Sequence, residues 1–334
     1  MQPKNIAKRS MVTMVLGLAA VAALPLQSAV AKAAELIPPE PAMIAPLATH
    51  SLLLDIVDTG KGLVAVGERG HVLLSDTGSS WKQVQVPVNV LLTAVTFTDA
   101  DNGWAVGHDA TVLHTTDGGR TWALQHYSPE IGQPLLDVYF SDAREGYAVG
   151  AFGLFLHTTD GGQNWETITP PAVVDDGFHL NAITRLNDGA LFVVGEMGLL
   201  AVKPVDGDWE KLDSPYEGSL YAIEPIGPHG AVIVGMRGNA FRSADVRAGQ
   251  WDAIDTGTVQ GLTSAKHLPN GEVAITGMNR TLLLLGADGR VRPTGVDQAE
   301  DAEGETGPFN GVAVHGGKLL LATHDGVQTV TLPQ

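Results

Sequence analysis

The stretch "LHTTDGGRTW", Leu113–Trp122, returns forty-three residues later as "LHTTDGGQNW", Leu156–Trp165. A catalytic site is usually built once, whereas a structural module is built many times. Outward from this phrase the chain keeps time. Tryptophans stand at 81, 122, 165, 209 and 251, at intervals of 41, 43, 44 and 42 residues. A glycine ends an apolar run at Gly67, Gly107, Gly150, Gly195, Gly235 and Gly277, at intervals of 40, 43, 45, 40 and 42. Periods of this length built from short strands are those of propeller blades. In the second unit "LLTAVTF", "GWAVG", "TVLHT" and "WALQHY" read as four strands between Gly, Asp and Asn turns.

The fold class is therefore all-β, a seven-bladed β-propeller. Six units begin near Leu52, Leu91, Pro134, His179, Ser219 and Gly261, and a seventh at Phe309. The seventh, "FNGVAVHGGKLLLATHDGVQTVTL", holds only three strands. The segment Ala42–Thr49 has no unit of its own and is expected to supply the fourth strand and close the ring. The domain reading is a signal over residues 1–31, an N-terminal segment over 32–50 that carries the closing strand, and the propeller over 51–334.

The repeated phrase fits S/T-x-D-x-G-x-T-W, the Asp-box. Its members are Thr115, Asp117, Gly119 and Trp122 in the second unit and Thr158, Asp160, Gly162 and Trp165 in the third. The first unit keeps Asp76, Gly78 and Trp81 but has Leu74 in the hydroxyl place. An Asp side chain accepts backbone N–H groups and fixes a tight turn, and the tryptophan buries a large ring between sheets. Turn chemistry explains each residue, so the boxes are expected to be structural and no catalytic residue is assigned. His114 and His157 read as strand packing.

Composition narrows the function. There is no cysteine, which excludes disulfides and thiolate sites. The net charge is −17, and no basic face is available to displace counterions from a nucleic acid. Lys4, Lys8 and Arg9 precede an uncharged run from Met11 to Leu24, followed by Ala29-Val30-Ala31 and Ala31-Lys32-Ala33. That is the pattern of a cleaved export signal, too short to span a bilayer. The mature chain is expected to be periplasmic, without cofactor, and monomeric by itself. P-loop, H-E-x-x-H and nucleophile-elbow patterns are absent from the sequence.

With the Asp-boxes and seven units in view, the chain resembles the photosystem II assembly and stability factor family of exported seven-bladed propellers. The resemblance covers most of residues 50–330, is most specific in the first three units, and includes "VGMRGNAFRS", Val234–Ser243. It implies a non-enzymatic scaffold or accessory factor that binds an inner-membrane protein complex, either a photosystem or an exporter. In that family a basic patch is implicated in binding a membrane subunit, and Arg237 and Arg242 stand at plausible positions for it. Asp-boxes also occur in sialidases and other glycoside hydrolases. A sialidase needs three arginines and a tyrosine nucleophile, and before Arg69 the only arginine is Arg9, in the signal. A paired-carboxylate hydrolase and a metal- or ligand-binding propeller stay open as alternatives.

The residues just after the marker glycines are expected to ring one face. They include Glu68, Arg69, Phe152, Met197, Met236, Arg237 and Arg280, and with Arg242 these are the candidate partner contacts. Glu68, His108, Asp109, His324 and Asp325 come from neighbouring units and form a weak candidate metal cluster. The acidic run Asp297–Glu305 reads as a solvated insertion.

Overall fold

A computed structural model of the chain describes residues 38–294 and 307–331. The expected signal, residues 32–37 of the N-terminal segment and the acidic run 297–305 lie outside the described residues. Twenty-seven strands form seven sheets, each an antiparallel meander. The innermost strands are Leu53–Asp58, Leu92–Phe97, Leu135–Phe140, Leu180–Arg185, Leu220–Ile226, Leu262–His267 and Phe309–His315, for blades one to seven. Among the described residues six blades have four strands and blade seven has three.

The core is a set of seams rather than one centre. Second strands such as Leu63–Gly67 and Gly103–Gly107 are buried throughout. Sheets stack on both of their faces, so their sequences are continuous apolar runs rather than alternating ones. Each seam has its own apolar cluster. Val64 and Val66 of blade one meet Leu92, Ala105 and Trp122 of blade two. The tryptophans plug these seams towards the preceding blade. Trp165 packs with the cluster of blade two and three residues, and Trp209 with that of blades three and four. Trp104, outside the 42-residue rhythm, is fully buried and stacks on Phe140 with centroids 3.6 Å apart.

The marker glycines have a steric cause. A Cβ on Gly67, Gly107, Gly150, Gly195, Gly235 or Gly277 would collide with the carbonyl oxygen of Leu52, Leu91, Pro134, His179, Ser219 or Gly261 respectively. In each blade the next N–H donates to that same oxygen, as Glu68 does to Leu52 at 3.0 Å and Met236 to Ser219 at 3.0 Å. The turn between second and third strands is thereby pinned beside the start of the innermost strand.

The expected closing strand is corrected. Residues 42–49 add no strand to blade seven. Ala42 N–H donates to Val86 O at 3.0 Å, and Gln83 holds the segment at both Ala45 N (2.8 Å) and Met43 O (2.9 Å). These bonds attach it to the outer part of blade one. It then turns through Ala48–His50, with Ala48 buried in the seam that Leu53 and Leu63 form with Leu320 and Ala322. Gly326 N–H donates to Ser51 O at 2.9 Å. The segment plugs the seam between blades one and seven. Pro46 within it, and Pro41 just before it, lack the N–H groups of a ladder strand.

Candidate functional site

The innermost strands surround an axial channel of about 200 Å³, lined by residues of all seven blades. In every blade the ladder slips between the ends of the first two strands, as between Leu53 and Asp55 in blade one and Leu262 and Ser264 in blade six. Side chains beside the slip at the channel wall fasten six of the blades to the next, and in blade five Glu224, farther along its strand, does so. Asp55 accepts Val95 N–H (2.9 Å), Asp137 accepts Ile183 N–H (2.8 Å) and Glu224 accepts His267 N–H (2.9 Å). Thr93 donates to Leu135 O (2.8 Å), Asn181 to Leu220 O (2.8 Å), Thr263 to Phe309 O (2.8 Å) and Asn310 to Leu53 O (2.8 Å). All seven seams are clasped. Burial pushes Asp55 up to about 6, against the N–H groups of Val95 and Ile56. Burial likewise raises Asp137 to about 7, with the charge of Asp55 adding in the same direction. These carboxylates already hold the main chain, which leaves the axis without a free acid/base pair of the hydrolase kind.

The Asp-boxes lie at the far ends of the blades, between third and fourth strands. Thr115 Oγ1 accepts Gly119 N–H at 2.9 Å and donates to Asp117 Oδ1 at 2.9 Å. Asp117 in turn accepts Thr121 N–H (2.9 Å) and Oγ1–H (2.7 Å). Blade three repeats the turn, with Asn164 donating to Asp160 through N–H (2.9 Å) and Nδ2 (2.7 Å). Those Asn164 bonds hold Asp160 below the ordinary carboxylate range, the reverse of a proton donor. In blade one the hydroxyl comes from Ser75, whose Oγ accepts Gly78 N–H at 2.8 Å. Ser75 pairs with Leu63 as Thr115 pairs with Gly103, so this box keeps its strand register and is one residue shorter. Counting back from Trp81 therefore lands on Leu74 instead.

The opposite face carries the turns between second and third strands. Arg69 (φ 54°), Phe152 (54°), Met197 (53°) and Arg237 (56°) all adopt the left-handed conformation, and Asp109, Asn279 and Arg280 do so in their blades. For a non-glycine residue this costs on the order of 1 kcal/mol. Phe152 is 60% exposed and Met197 58%, with Met236 and Met278 also exposed. Met278 was not among the expected contacts, although it directly follows marker Gly277. The Phe152 ring meets His179 edge-on at 4.7 Å. Beside exposed Arg237 runs an open groove of about 550 Å³ walled by Asn239, Ile254, Thr256, Thr258 and Val259.

Two expected contacts are placed differently. Arg280 turns inwards, donating to Gln328 Oε1 at 2.7 Å and lying 5.1 Å from the centre of the Phe309 ring. It ties blade six to blade seven. Arg242 sits at the Asp-box end of its strand and donates to Ala287 O at 3.1 Å, away from Arg237. Glu68 accepts Leu52 N–H at 3.4 Å, and Asp325 pairs with His50 at 3.1 Å. Among the described residues no three His, Asp or Glu side chains gather closely enough to hold a metal ion, so Glu68, His108, Asp109, His324 and Asp325 are not brought together as a ligand set.

A clasped ring of seven blades with one face of projecting side chains defines the class of seven-bladed β-propellers. The sequence profile of the photosynthesis system II assembly factor YCF48 family matches residues 74–134 and 125–281, and the chain belongs to this family. Photosystem II assembly protein Ycf48 of Thermosynechococcus vestitus is 40% identical over 42 residues, 13% of this chain and 12% of that protein. The chloroplastic photosystem II stability/assembly factor HCF136 of Cyanidioschyzon merolae is 38% identical over 77 residues, 21% of this chain and 18% of that one. The matched stretches span less than a fifth of these relatives. A solved structure of YCF48 bound to D1 peptide superposes with a TM-score of 0.67 over 90% of this chain and 97% of that one, at 18% identity. That likeness is one of fold. Among the described residues no helix is long and apolar enough to cross a membrane.

Proposed function

We propose that this chain is a non-enzymatic, exported scaffold that holds a segment of an inner-membrane protein during assembly, using the face on which Phe152, Met197, Met236 and Arg237 project. One observation carries the reading. Four blades expose a phenylalanine, a methionine or an arginine (Arg69, Phe152, Met197 and Arg237) from a left-handed backbone position that glycine would occupy at less cost. Retaining such side chains where they weaken the fold, and exposing them to water, fits a contact surface. A family of assembly factors and a relative seen with a bound peptide support the same reading. The protein acts as a periplasmic monomer after cleavage behind Ala31 or Ala33. The net charge of −17 favours neutral or basic segments as partners.

The test is capture of the membrane partner from detergent extracts by the wild type and by the triple variant Phe152→Ala, Met197→Ala, Arg237→Ala. The variant is expected to keep its melting curve and lose capture. Undiminished capture, together with its loss on substituting residues of the Asp-box face, would overturn the assignment.

A further inference from the structure

We infer that the outer edge of blade seven receives an extended segment of a partner protein as a fourth strand. This surface is separate from the turn-bearing face. The last described strand, Gly326–Thr331, pairs along its whole length with Lys318–Thr323 without a register slip. Its first residue, Gly326, donates its N–H to Ser51 O at 2.9 Å, but no fourth strand among the described residues pairs with its other edge, whereas the third strand of every other blade is covered by a fourth.

The edge lacks the usual safeguards. Exposed strand edges are normally kept from pairing by brevity, charge, proline or a bulge. The outermost strands of the other blades obey this. They are two to four residues long, and five of the six carry a charge: Lys82, Glu166, Glu210 and Lys211, Asp252, and Arg292. The edge of blade seven is six residues long, "GVQTVT", with four β-branched side chains and no charge. It is also held straight. Val330 is buried in the seam with Leu282 and Leu284 of blade six, and Val327 packs in the seam with blade one beside Trp81. Thr329 and Thr331 are exposed. Such an edge offers main-chain hydrogen bonds to any strand of compatible shape.

The occupant is a partner segment. Residues 42–45 are bonded to blade one, and Thr49, His50 and Ser51 meet the strand at Gly326, its first residue, without forming a strand of their own. The run Asp297–Glu305 is rich in Asp, Glu and Gly, the residues strands disfavour. A second copy would join two six-residue edges, well under the roughly 1,200 Å² that a stable assembly buries, between chains of charge −17. An extended segment with β-branched or aromatic residues at alternate positions and neutral or basic flanks meets both the pairing and the charge requirement.

The experiment follows backbone amide exchange across the full chain with and without a synthetic peptide, Thr-Trp-Ala-Leu-Gln-His-Tyr. This copies residues 121–127, which include the fourth strand of blade two. Peptide is expected to slow exchange by about tenfold or more at those amides of residues 327–331 that do not bond Lys318–Thr323, and to have no such effect in the Thr329→Lys/Thr331→Lys variant. No slowing, or slowing confined to the turn-bearing face, overturns the inference. So does an edge already protected in the free monomer, which assigns it to the chain itself, or protected only in a concentration-dependent dimer, which assigns it to a second copy. None of these outcomes depends on Phe152, Met197 or Arg237, so the scaffold reading stands or falls separately.

Discussion

Asp55 Oδ2 lies 2.9 Å from the backbone nitrogen of Val95, so a carboxylate of blade one fastens the innermost strand of blade two. Asp137 repeats the bond to Ile183 two seams further round. Both sit half-buried at the channel wall, enclosed by protein on every other side.

These carboxyls set a pH dependence. Folding raises them from 3.8 to about 6 and about 7, so the folded chain holds protons that the unfolded chain has released. Stability from these two groups therefore increases as pH falls through 7 towards 4. Asp188 works in the other direction. Burial opposes its ionisation, but bonds from His229, Ala190 and Arg247 outweigh that and hold it at about 2, so its contribution is lost below pH 4. Burial lowers His71, His114 and His126, which works against the carboxyls over the same interval, so the readout is a difference: the melting temperature of the wild type relative to Asp137→Asn is expected to rise from pH 8 to pH 5. A difference that shrinks over this interval contradicts the assignment.

Relieving the left-handed turns should separate stability from binding. Phe152→Gly, Met197→Gly and Arg237→Gly remove the backbone cost of φ near 54° and lose side chains that the fold does not bury. Each is expected to leave stability unchanged or raise it by up to about 1 kcal/mol, while partner capture declines. Urea unfolding with parallel capture assays reads both quantities.

Asp117→Ala should act on stability alone. It removes the acceptor of Thr121 N–H and Oγ1–H and of Thr115 Oγ1–H. The expected loss is about 1–2 kcal/mol in chemical denaturation, with partner capture intact. Loss of capture by a variant of unchanged stability would give the box a binding role.

The seam plug can be tested at Ala48, which is 1% exposed between blades one and seven. Ala48→Glu buries an unpaired carboxyl and is expected to cost at least about 2 kcal/mol. Leu47→Glu, next to it but 71% exposed, should be nearly neutral. Equal melting curves for the two would show that the plug contributes little.

Sequence periodicity was enough to reveal the blades, because a seam needs a buried second strand and a plugging tryptophan at each turn of the ring. Gly67 and its counterparts were legible as markers before their cause, a carbonyl oxygen at close approach, was known. The clasps were not legible. Asp55, Thr93 and Asn181 belong to different residue types, and a slip in the ladder, invisible in the sequence, turns them to the channel wall. Arg280 and Arg242 also misled. Position after a glycine or in a family-like stretch says where a backbone goes, and neighbouring groups, here Gln328, Phe309 and Ala287, decide where a long side chain goes. Ser75 escaped because counting from Trp81 assumes a turn of fixed length.

The clasps also obey a parity constraint. Carboxylates serve the seams after blades one, three and five, and hydroxyl or amide groups serve those after two, four, six and seven. Two kinds of fastener cannot alternate strictly round a ring with an odd number of members, so somewhere two of one kind must be neighbours. Here the mismatch is neutral and falls on both sides of blade seven. No two acidic clasps adjoin, and the seam where the first and last blades meet is clasped at the channel wall by Asn310, while the side chains of His315 and Asp58, 2.8 Å apart, join the same two blades. The joint on which the circle's closure depends is thus the one where a neutral main-chain clasp and a side-chain pair act together.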